Sequence, residues 1–398
     1  MKILHLVENY LPLTTSWIYS QIDCNKYWHS EVGAIRRTTE QNYPFPAVHA
    51  FTDKWSAFKK RPLRGLLSQY PQIGIAWLRN YYKGTAFDVM HCHFGNFGFW
   101  SLPIKKRFKI PMITMFYGYD ASMLPKIEPV WSKRYLKLFD KGDLFLTEGN
   151  HMKATLIKLG CAEEKIRIFH LGVDLGRIPY KPRKLDVDGT LRLLAAGSFK
   201  EKKGLPYAVE AFALARQNYP RMTLTIIGDS SGAKREKEEK RKILEAVARN
   251  KLQNSVTFLG YQPHARFIEE IQKHHLFISP SVTATDGDTE GGSPVAITEA
   301  SASGMPVIST WHCDIPEVVI HRKSGILVKE KDVEALHKAI LCFINDRESI
   351  KQYGSTGRTH IEAEYNIEKQ LFQLAGIYQS LLKDFRRMRD GASRNRQH

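Results

Sequence analysis

The chain has 398 residues, a length that predicts two domains at about 100 to 200 residues each. A hydrophobic content of 43%, a charged content of 25% and an aromatic content of 11% are typical of a globular protein and exclude collagen-like, disordered and multi-span membrane proteins. The net charge of +18 raises the question of a polyanionic partner.

The amino-terminal segment has only a short apolar run, residues 3–7, before Glu8. This run is far shorter than the core of a signal peptide, and the sequence contains no uncharged apolar stretch of about 18 residues, so we expect a cytoplasmic protein. The five cysteines are widely spread without a Cys-x-x-Cys pair, which predicts reduced thiols rather than zinc ligands or a redox pair. They are Cys24, Cys92, Cys161, Cys313 and Cys342.

Strand and helix patterns alternate along the whole chain. The first half predicts strands at residues 3–7, 89–92, 112–116 and 144–147, with helical stretches between them. The second half predicts strands at 191–196, 224–227, 256–259, 276–278 and 307–309, and amphipathic helices at 207–216 and 240–247. This alternation favours parallel sheets covered on both faces, so we expect an α/β protein of two doubly wound, Rossmann-like domains.

The predicted boundary between the domains lies near residues 178–189, where prolines and mixed charge interrupt the pattern. We therefore expect domains at 1–184 and 185–365. A last segment, 366–398, contains an amphipathic helix at about 367–387 and a basic tail. Ligands in doubly wound sheets bind beyond the carboxyl ends of the strands, so the loops after the strands are the candidate sites.

The positive charge is concentrated in the first half. Residues 1–184 carry a net charge of +14, residues 185–382 are neutral and residues 383–398 carry +4. Basic residues of the first half are interleaved with aromatic ones at 54–55, 58–61, 105–109 and 131–135. An anionic bilayer surface selects this mixture, since rings lie at headgroup level and each basic residue adds ~1 kcal/mol of attraction. Nucleic acid selects a similar mixture, and any single cluster is also consistent with a solvated face without a partner.

A glycine-bounded, lysine-rich loop follows the strand at 191–196. It runs from Gly197 to Gly204 and includes Lys203, and a helix is predicted to start near Pro206. Backbone N–H groups at a helix N-terminus and a lysine ammonium both suit a diphosphate. Such loops are common, so this pattern alone is a weak indication.

A second loop, around residues 290–294, is a more specific indication of a ligand site. Ser293 as N-cap and Pro294 at the first helical position predict the start of a helix of about ten residues. Glu290 precedes the glycine pair 291–292 in the loop, and Glu299 lies in the second turn of the helix. The glycines let a ligand approach the backbone, and the glutamates can accept hydrogen bonds from hydroxyl groups. A capped helix with two solvated glutamates is the alternative interpretation.

The order of these signals resembles the retaining glycosyltransferases of family 4, which have the GT-B fold of two facing Rossmann-like domains. The resemblance covers nearly the whole chain, through segments 172–174, 197–204, 226–229, 256–260, 280–281, 290–299, 304–307 and 315–317. Segments 91–95 and 286–290 are most similar to the enzymes that build bacterial exopolysaccharides such as colanic acid. The resemblance also implies that the last helix crosses back to the first domain.

Three positions depart from the family pattern. Eight residues rather than seven separate Glu290 from Glu299, so we expect an extra residue at the glycine pair. Ser198 stands where the family usually has arginine, so one diphosphate contact is missing unless Lys200 or Lys202 replaces it. More of the diphosphate contact then depends on Lys203. Tyr117 stands where the family has a histidine before glycine, so a phenol hydroxyl rather than an imidazole would contact the transferred sugar.

The resemblance implies a nucleotide-diphosphate sugar as donor, with no metal or other cofactor, and a glycan or lipid-linked acceptor. Glu299 would bind the ribose and Lys203 the diphosphate, and the sugar would face Glu290. The implied donor-binding residues are Gly197, Ser198, Lys203, Gly228, Asp229, Glu290, Gly291, Gly292, Ser293, Pro294, Val295 and Glu299. The implied acceptor-binding residues are Asn9, Thr15, Ser16, His93, Asn96, Tyr117 and Asp120. The implied catalytic residues are Glu290, Lys203, Tyr117 and His93.

Alternatives stay open at two levels. Asp286 and Asp288 match an Asp-x-Asp metal motif, but we favour a polar loop because they precede the loop of a different architecture. His91 and His93 are either buried strand-end residues or acceptor contacts, and we favour His93 for function because it lies past the predicted strand end. For the whole protein, a same-fold epimerase or hydrolase would act without an acceptor, and a nucleic-acid-binding protein would use the basic half. A lipid-linked acceptor instead favours an anionic membrane as the partner of that half, with no nucleic acid.

Overall fold

The structure, a computed structural model, describes residues 1–10, 16–37, 43–54, 65, 67 and 69–394. Contacts divide the chain into a first unit, Met1–Gly172 with Ile367–His398, and a second unit, Val173–Asn366. The division lies nearer the amino terminus than the predicted linker, because residues 173–184 pack on the second unit. Ile178 belongs to its apolar core, and the buried Arg183 donates a hydrogen bond to Ser303 Oγ at 3.0 Å.

The first unit contains a seven-stranded sheet in which each pairing is parallel, in the order β3-β2-β1-β4-β5-β6-β7. Its strands are β1 (Lys2–Tyr10), β2 (His29–Arg37), β3 (Val48–Ala50), β4 (Val89–His93), β5 (Met112–Met115), β6 (Leu144–Thr147) and β7 (Ile166–Ile168). Its helices are α1 (Ser16–Asp23), α2 (Pro71–Tyr81), α3 (Gly95–Phe108), α4 (Tyr119–Ser122), α5 (Leu124–Ile127), α6 (Val130–Lys141) and α7 (Asn150–Lys158).

Successive residues of β1 and β4 point to opposite faces of this sheet, as pleated strands require. Leu4 and Leu6 of β1 and Cys92 of β4 join the apolar core under α2, α3 and α6. The other face holds polar but fully buried side chains, among them His5 and His91. That second face is covered by the last helix, since Tyr378 contacts His91 there.

The second unit contains a six-stranded sheet, again with each pairing parallel, in the order β10-β9-β8-β11-β12-β13. Its strands are β8 (Leu191–Ala196), β9 (Met222–Ile227), β10 (Val256–Gly260), β11 (Leu276–Ser279), β12 (Val307–Thr310) and β13 (Gly325–Val328). Its helices are α8 (Leu205–Asn218), α9 (Lys234–Arg249), α10 (His264–Lys273), α11 (Val295–Ala302), α12 (Ile315–Val318), α13 (Val333–Asn345) and α14 (Arg347–Glu364). Apolar clusters cover both faces of the sheet.

The last helix, α15 (Ile367–Arg394), belongs to the first unit. This confirms the predicted return of the chain, although the helix extends beyond the expected end at residue 387. The nine predicted strands are all present, and β2, β3, β7 and β13 are additional. Among the described residues, no helix combines the length and apolar character that crossing a bilayer requires.

Candidate active site

The loops after β8 and β11 form the candidate donor site of the second unit. The strand order reverses between these two strands, and ligands of doubly wound sheets bind at the carboxyl ends of strands at such a point. Gly204 ends the first loop at a φ of +63°, and a Cβ there would lie 1.9 Å from the carbonyl oxygen of Pro280 in the second loop. At Gly228, after β9, a Cβ would lie 1.9 Å from the carbonyl oxygen of Gly197. Glycine at these positions lets the loops pack directly on one another.

The structure brings Lys203 and Glu290 together from these two loops. Lys203 Nζ lies 2.8 Å from Glu290 Oε2, and Ser281 Oγ donates to Glu290 Oε1 at 2.9 Å. The exposed fraction of the Glu290 side chain is 6% and that of Lys203 is 18%. Burial raises the pKa of Glu290, but the charges of Lys203 and Lys202 outweigh it and hold this pKa below its ordinary value. The loop therefore carries an ionised carboxylate beside a cation.

The two aspartates of the Asp-x-Asp segment are each paired with a cation. Arg235 pairs with Asp286, and Lys202 Nζ lies 3.1 Å from Asp288 Oδ1 and 2.8 Å from the carbonyl oxygen of Thr289. Lys202 thus ties the first loop to the segment that precedes Glu290.

A hydrogen-bonded chain that we did not predict holds the backbone of Glu290. The backbone N–H of Glu290 donates to His312 Nε2 at 3.1 Å, and His312 Nδ1 lies 2.6 Å from Glu330 Oε1. The accepting Nε2 places the proton of the neutral imidazole on Nδ1, where it donates to Glu330. Glu330 also accepts the backbone N–H of Thr283 at 2.8 Å. The sequence signal that could have found His312 is its position just after β12, beside the end of β11.

The helix that carries Glu299 begins later than predicted. Helix α11 has eight residues, starts at Val295 and has Pro294 as N-cap, with no side-chain cap. The prediction of Ser293 as N-cap is wrong, because Pro294 has an extended ψ of 126° rather than a helical one. Ser293 Oγ is buried and has no hydrogen-bond partner among the described residues. Such a hydroxyl group is one that a ligand could satisfy.

Glu299 is a buried carboxylate on α11, 7% exposed. His264 Nε2 lies 2.5 Å from its Oε1, and this hydrogen bond raises the pKa of His264 although burial opposes it. Asp229, after β9, is paired with Lys240, whose Nζ lies 2.6 Å from its Oδ1. This hydrogen bond is the main reason that the pKa of Asp229 is lowered.

The remaining predicted donor residues lie on the same loops. Ser198 is half-buried in the loop after β8. Gly291 has a φ of +78°, and the carbonyl oxygen of Gly292 accepts the backbone N–H of Asp314 at 3.3 Å. The predicted donor residues from Gly197 to Pro294 therefore lie beyond the carboxyl ends of β8, β9 and β11. Val295 begins α11, and Glu299 lies one helical turn further on.

In the first unit, His93 and Tyr117 meet at the carboxyl ends of β4 and β5. His93 Nδ1 lies 2.6 Å from the Tyr117 hydroxyl oxygen. The prediction that His93 lies past the strand is wrong, since β4 extends through His93 and its side chain is fully buried. Burial lowers the pKa of His93 and raises that of Tyr117 well above its ordinary value, so both groups are neutral.

Asp120 holds this corner of the first unit together. Its Oδ2 accepts the backbone N–H of Gly95 at 2.7 Å, and its Oδ1 accepts that of Tyr117 at 3.0 Å. Burial raises the pKa of Asp120 to about 6, against these hydrogen bonds, which lower it. Beside it, Phe94 has a φ of +73°, a costly conformation for a residue with a Cβ. The Asp120 carboxylate thus has a clear role in fixing the two loops.

The other predicted acceptor residues are placed near the same sheet edge or lie outside the described residues. Asn9 is half-buried near the end of β1, and Asn96 is half-buried in the first turn of α3. Ser16 begins α1, whereas Thr15 lies outside the described residues. The strand order of the first unit reverses between β1 and β4. Asn9 lies near the end of one of these strands, and Asn96 follows the other.

Comparison with known proteins decides the family. Residues 179–360 match the family model described as glycosyl transferases group 1, and residues 35–177 match that of glycosyltransferase family 4. The chain is 31% identical over 301 residues to the amylovoran biosynthesis glycosyltransferase AmsK of Erwinia amylovora, over 75% of this chain and 72% of that protein. The chain belongs to glycosyltransferase family 4.

Solved structures resemble this family 4 chain over its length. HepE of Anabaena, in complex with UDP-glucose, matches with a TM-score of 0.77 at 18% identity, over 96% of this chain and 100% of that one. The sucrose-phosphate synthase of Thermosynechococcus elongatus matches with a TM-score of 0.77 at 19% identity and the same coverage. The predicted GT-B fold class and the predicted enzyme class, a glycosyltransferase, are confirmed.

Proposed function

We propose that this family 4 glycosyltransferase moves a sugar from a nucleotide-diphosphate sugar to a glycan or lipid-linked acceptor in exopolysaccharide biosynthesis, with retained anomeric configuration. The observation that carries the proposal is the ion pair of Lys203 and Glu290 at the switch point of the second unit. The name of AmsK, which refers to amylovoran biosynthesis, supports the pathway class. The complex of HepE with UDP-glucose supports the donor class.

The donor is proposed to bind along the loops of the second unit. The Glu299 carboxylate has several acceptor positions, so it can hold ribose hydroxyl groups while His264 holds its Oε1. Lys203 would contact both Glu290 and the diphosphate of the nucleotide sugar. Ser293 Oγ and the backbone N–H groups at the N-terminus of α11 would donate hydrogen bonds to the same diphosphate. The sugar would then face Glu290 and the backbone of residues 291–294.

Departure of the diphosphate develops negative charge that Lys203 and the helix N-terminus can stabilise. We therefore propose that the transfer needs no metal, and the cation partners of Asp286 and Asp288 support this. The bond from the anomeric carbon to the phosphate oxygen breaks, and a bond to the acceptor oxygen forms on the same face. The leaving phosphate oxygen takes the acceptor proton. On the first unit, Tyr117 is the proposed contact for the acceptor, and the buried His93 orients its hydroxyl group at 2.6 Å.

The test is the variant Glu299→Ala, assayed for sugar transfer and for binding of UDP, GDP and ADP. We expect transfer to be lost and nucleotide affinity to fall at least about tenfold, because the loss of a hydrogen bond to a charged group costs ~1.5–3 kcal/mol. Glu238→Ala is the matched control, since Glu238 is exposed on α9 and pairs with Arg241. Retained transfer in Glu299→Ala would refute the donor site, and donor turnover without an acceptor would favour a hydrolase or epimerase.

We further propose that the first unit contacts an anionic membrane at the cytoplasmic face, where a lipid-linked acceptor would be found. Around α5 and α6, exposed aliphatic side chains lie beside exposed lysines: Ile127, Val130, Lys133, Leu136 and Lys137. This combination suits the boundary of headgroups and acyl chains.

Part of the predicted membrane face has an internal role. The Arg134 guanidinium lies 4.7 Å from the ring centroid of the buried Trp131 and 5.0 Å from that of Trp100. The cation–π contacts of Arg134 with these two rings therefore support packing of α3 on α6. The predicted cluster at 58–61 and Trp55 lie outside the described residues.

Vesicle sedimentation tests the membrane proposal with the double variant Lys133→Glu and Lys137→Glu. We expect binding to vesicles of phosphatidylglycerol and phosphatidylcholine to weaken at least about tenfold, because two charge reversals remove several times the ~1 kcal/mol of one basic residue. Arg347→Glu with Lys351→Glu, two exposed positions spaced alike on α14, is the control. Equal binding by both double variants would refute the contact through α6.

A further inference from the structure

Three histidines share one buried face of the first unit. His5 on β1 lies directly opposite His91 on β4 in the sheet register, and His93 follows two residues along β4. Residues at i and i+2 point to the same side of a strand, so the three imidazoles lie side by side. Their ring centroids are 4.5 to 5.4 Å apart, and all three side chains are fully buried. The proposed sugar transfer gives no role to His5 or His91.

Two tyrosines orient the rings from the far side. His91 Nδ1 lies 2.6 Å from the hydroxyl oxygen of Tyr378 on α15, and His93 Nδ1 lies 2.6 Å from that of Tyr117. Each hydroxyl group engages Nδ1, so the Nε2 of His91 has no partner among the described residues and the Nε2 of His93 faces His5. A ring nitrogen held by an outer hydrogen bond is the usual arrangement of a histidine that ligates a metal with its other nitrogen.

The inner nitrogens have few partners. His93 Nε2 lies 3.2 Å from His5 Nδ1. The Nε2 atoms of His5 and His91 are buried, and neither has a hydrogen-bond partner among the described residues. Buried polar atoms are rarely left in this state, so the cluster has unused donor or acceptor capacity that points to a ligand.

The distances fit a metal ion. One nitrogen atom from each histidine lies within 4.8 Å of those of the other two. Two nitrogen ligands of tetrahedral zinc are about 3.3 Å apart, since each Zn–N bond is about 2.0–2.1 Å. His5 Nδ1 and His93 Nε2 are already about this far apart, at 3.2 Å. The other separations, which are at most 4.8 Å, would have to shorten by up to about 1.5 Å on metal binding. Within the described part of the chain, this is also the one group of such side chains close enough to hold an ion.

We propose that His5, His91 and His93 form a three-histidine site for a divalent transition-metal ion, with Zn²⁺ as the best match. An all-imidazole donor set selects Zn²⁺, Cu²⁺, Ni²⁺ or Co²⁺ over Mg²⁺ and Ca²⁺, which prefer oxygen. Three protein ligands leave a fourth position for water or a ligand oxygen. The site goes beyond the proposed function, because that function assigns no metal to the diphosphate in the second unit.

The test is metal binding by untagged, chelator-treated full-length protein. We expect titration calorimetry and elemental analysis to give one Zn²⁺ per chain, and Co²⁺ to give the visible absorption of a four-coordinate nitrogen site. His91→Asn should weaken Zn²⁺ binding by more than about 100-fold, beyond the loss produced by an outer hydrogen bond. His151→Asn is the control, because His151 is exposed on α7, and it should bind as the wild type does.

A second variant keeps the test decisive if His91→Asn does not fold, as judged by circular dichroism. Tyr378→Phe keeps all three ligands and removes the hydrogen bond to His91, so the Zn²⁺ affinity should fall about 10- to 100-fold. Absence of a bound ion in the wild type, or equal Zn²⁺ affinity in the wild type and in the folded variants, would overturn the proposal. Neither readout uses catalytic activity, so failure of the metal site and failure of the proposed function are distinguishable.

Discussion

Replacing Lys203 with methionine tests the central ion pair of the donor site. The side chain keeps much of its length but loses the charge that lies 2.8 Å from Glu290. Glu290 stays buried, so the variant leaves a carboxylate without its nearest cation. Removing one partner of a buried pair costs about 3–5 kcal/mol. Ser281 still donates to the carboxylate and Lys202 remains near, so we expect the lower end, a loss of about 3 kcal/mol in the free energy of unfolding at pH 7.5.

The loss of stability in Lys203→Met should become smaller as the pH falls. In the wild type the pKa of Glu290 is lowered, so its contribution to stability is present above the ordinary carboxyl pKa and disappears as the pH falls through the lowered one. In Lys203→Met, burial dominates and raises this pKa, so the carboxyl group takes up a proton earlier on acidification. The difference between the two proteins should therefore shrink from pH 7.5 to pH 5.

The assay is a urea series in which hydrogen exchange is resolved by mass spectrometry for peptides of the second unit, because a chain of two units need not unfold in one step. Lys200→Met is the matched control, since Lys200 is exposed in the same loop, and it should change stability by less than about 0.5 kcal/mol. Equal stability of Lys203→Met and Lys200→Met at both pH values would refute the reasoning.

Two further predictions concern the second unit. Gly204→Ala should destabilise it by more than about 2 kcal/mol, because a positive φ costs a residue with a Cβ about 1–2 kcal/mol and the new Cβ meets Pro280. Gly232→Ala is also at positive φ, but no atom lies within 4 Å of its new Cβ, so it should lose only the ~1–2 kcal/mol of the backbone conformation. Urea unfolding measures the stability of both variants. His264→Gln should be destabilised more at pH 6 than at pH 9. The pKa of His264 is raised chiefly by its hydrogen bond to Glu299. The stability that the wild type gains from the charged imidazole is therefore lost as the pH rises through that pKa.

Each of these two predictions for the second unit has an outcome that would contradict it. Equal losses in the two glycine variants would mean that the contact with Pro280 is not tight. A stability difference between the wild type and His264→Gln that stays constant with pH would mean that the charged form of His264 does not contribute.

The sequence predicts the alternation of strands and helices because long apolar runs, such as residues 191–196, are buried on both faces of a parallel sheet. It misses β3 and β7 because strands of three residues carry little pattern, and β2 because its ends are polar, with Glu31 and Arg37. The glutamate loop is found because glycine and proline mark loops through backbone geometry alone.

The contacts within the site depend on sheet order, which local patterns do not contain. His312 supports Glu290 from a neighbouring strand end, and His5 meets His91 through the register of β1 on β4. The Ser293 prediction failed for a local reason, since Pro294 can start a helix or precede one, and here it precedes α11.

The most direct test of the account is a thermal-shift panel of UDP-, GDP- and ADP-sugars on the purified protein, with and without EDTA and with Glu299→Ala alongside. We expect sugars of one nucleotide class to raise the melting temperature by the same increment with or without EDTA, and to leave Glu299→Ala unchanged. No shift with any nucleotide sugar, or a shift that disappears with EDTA, would contradict metal-independent binding of a nucleotide sugar at this site.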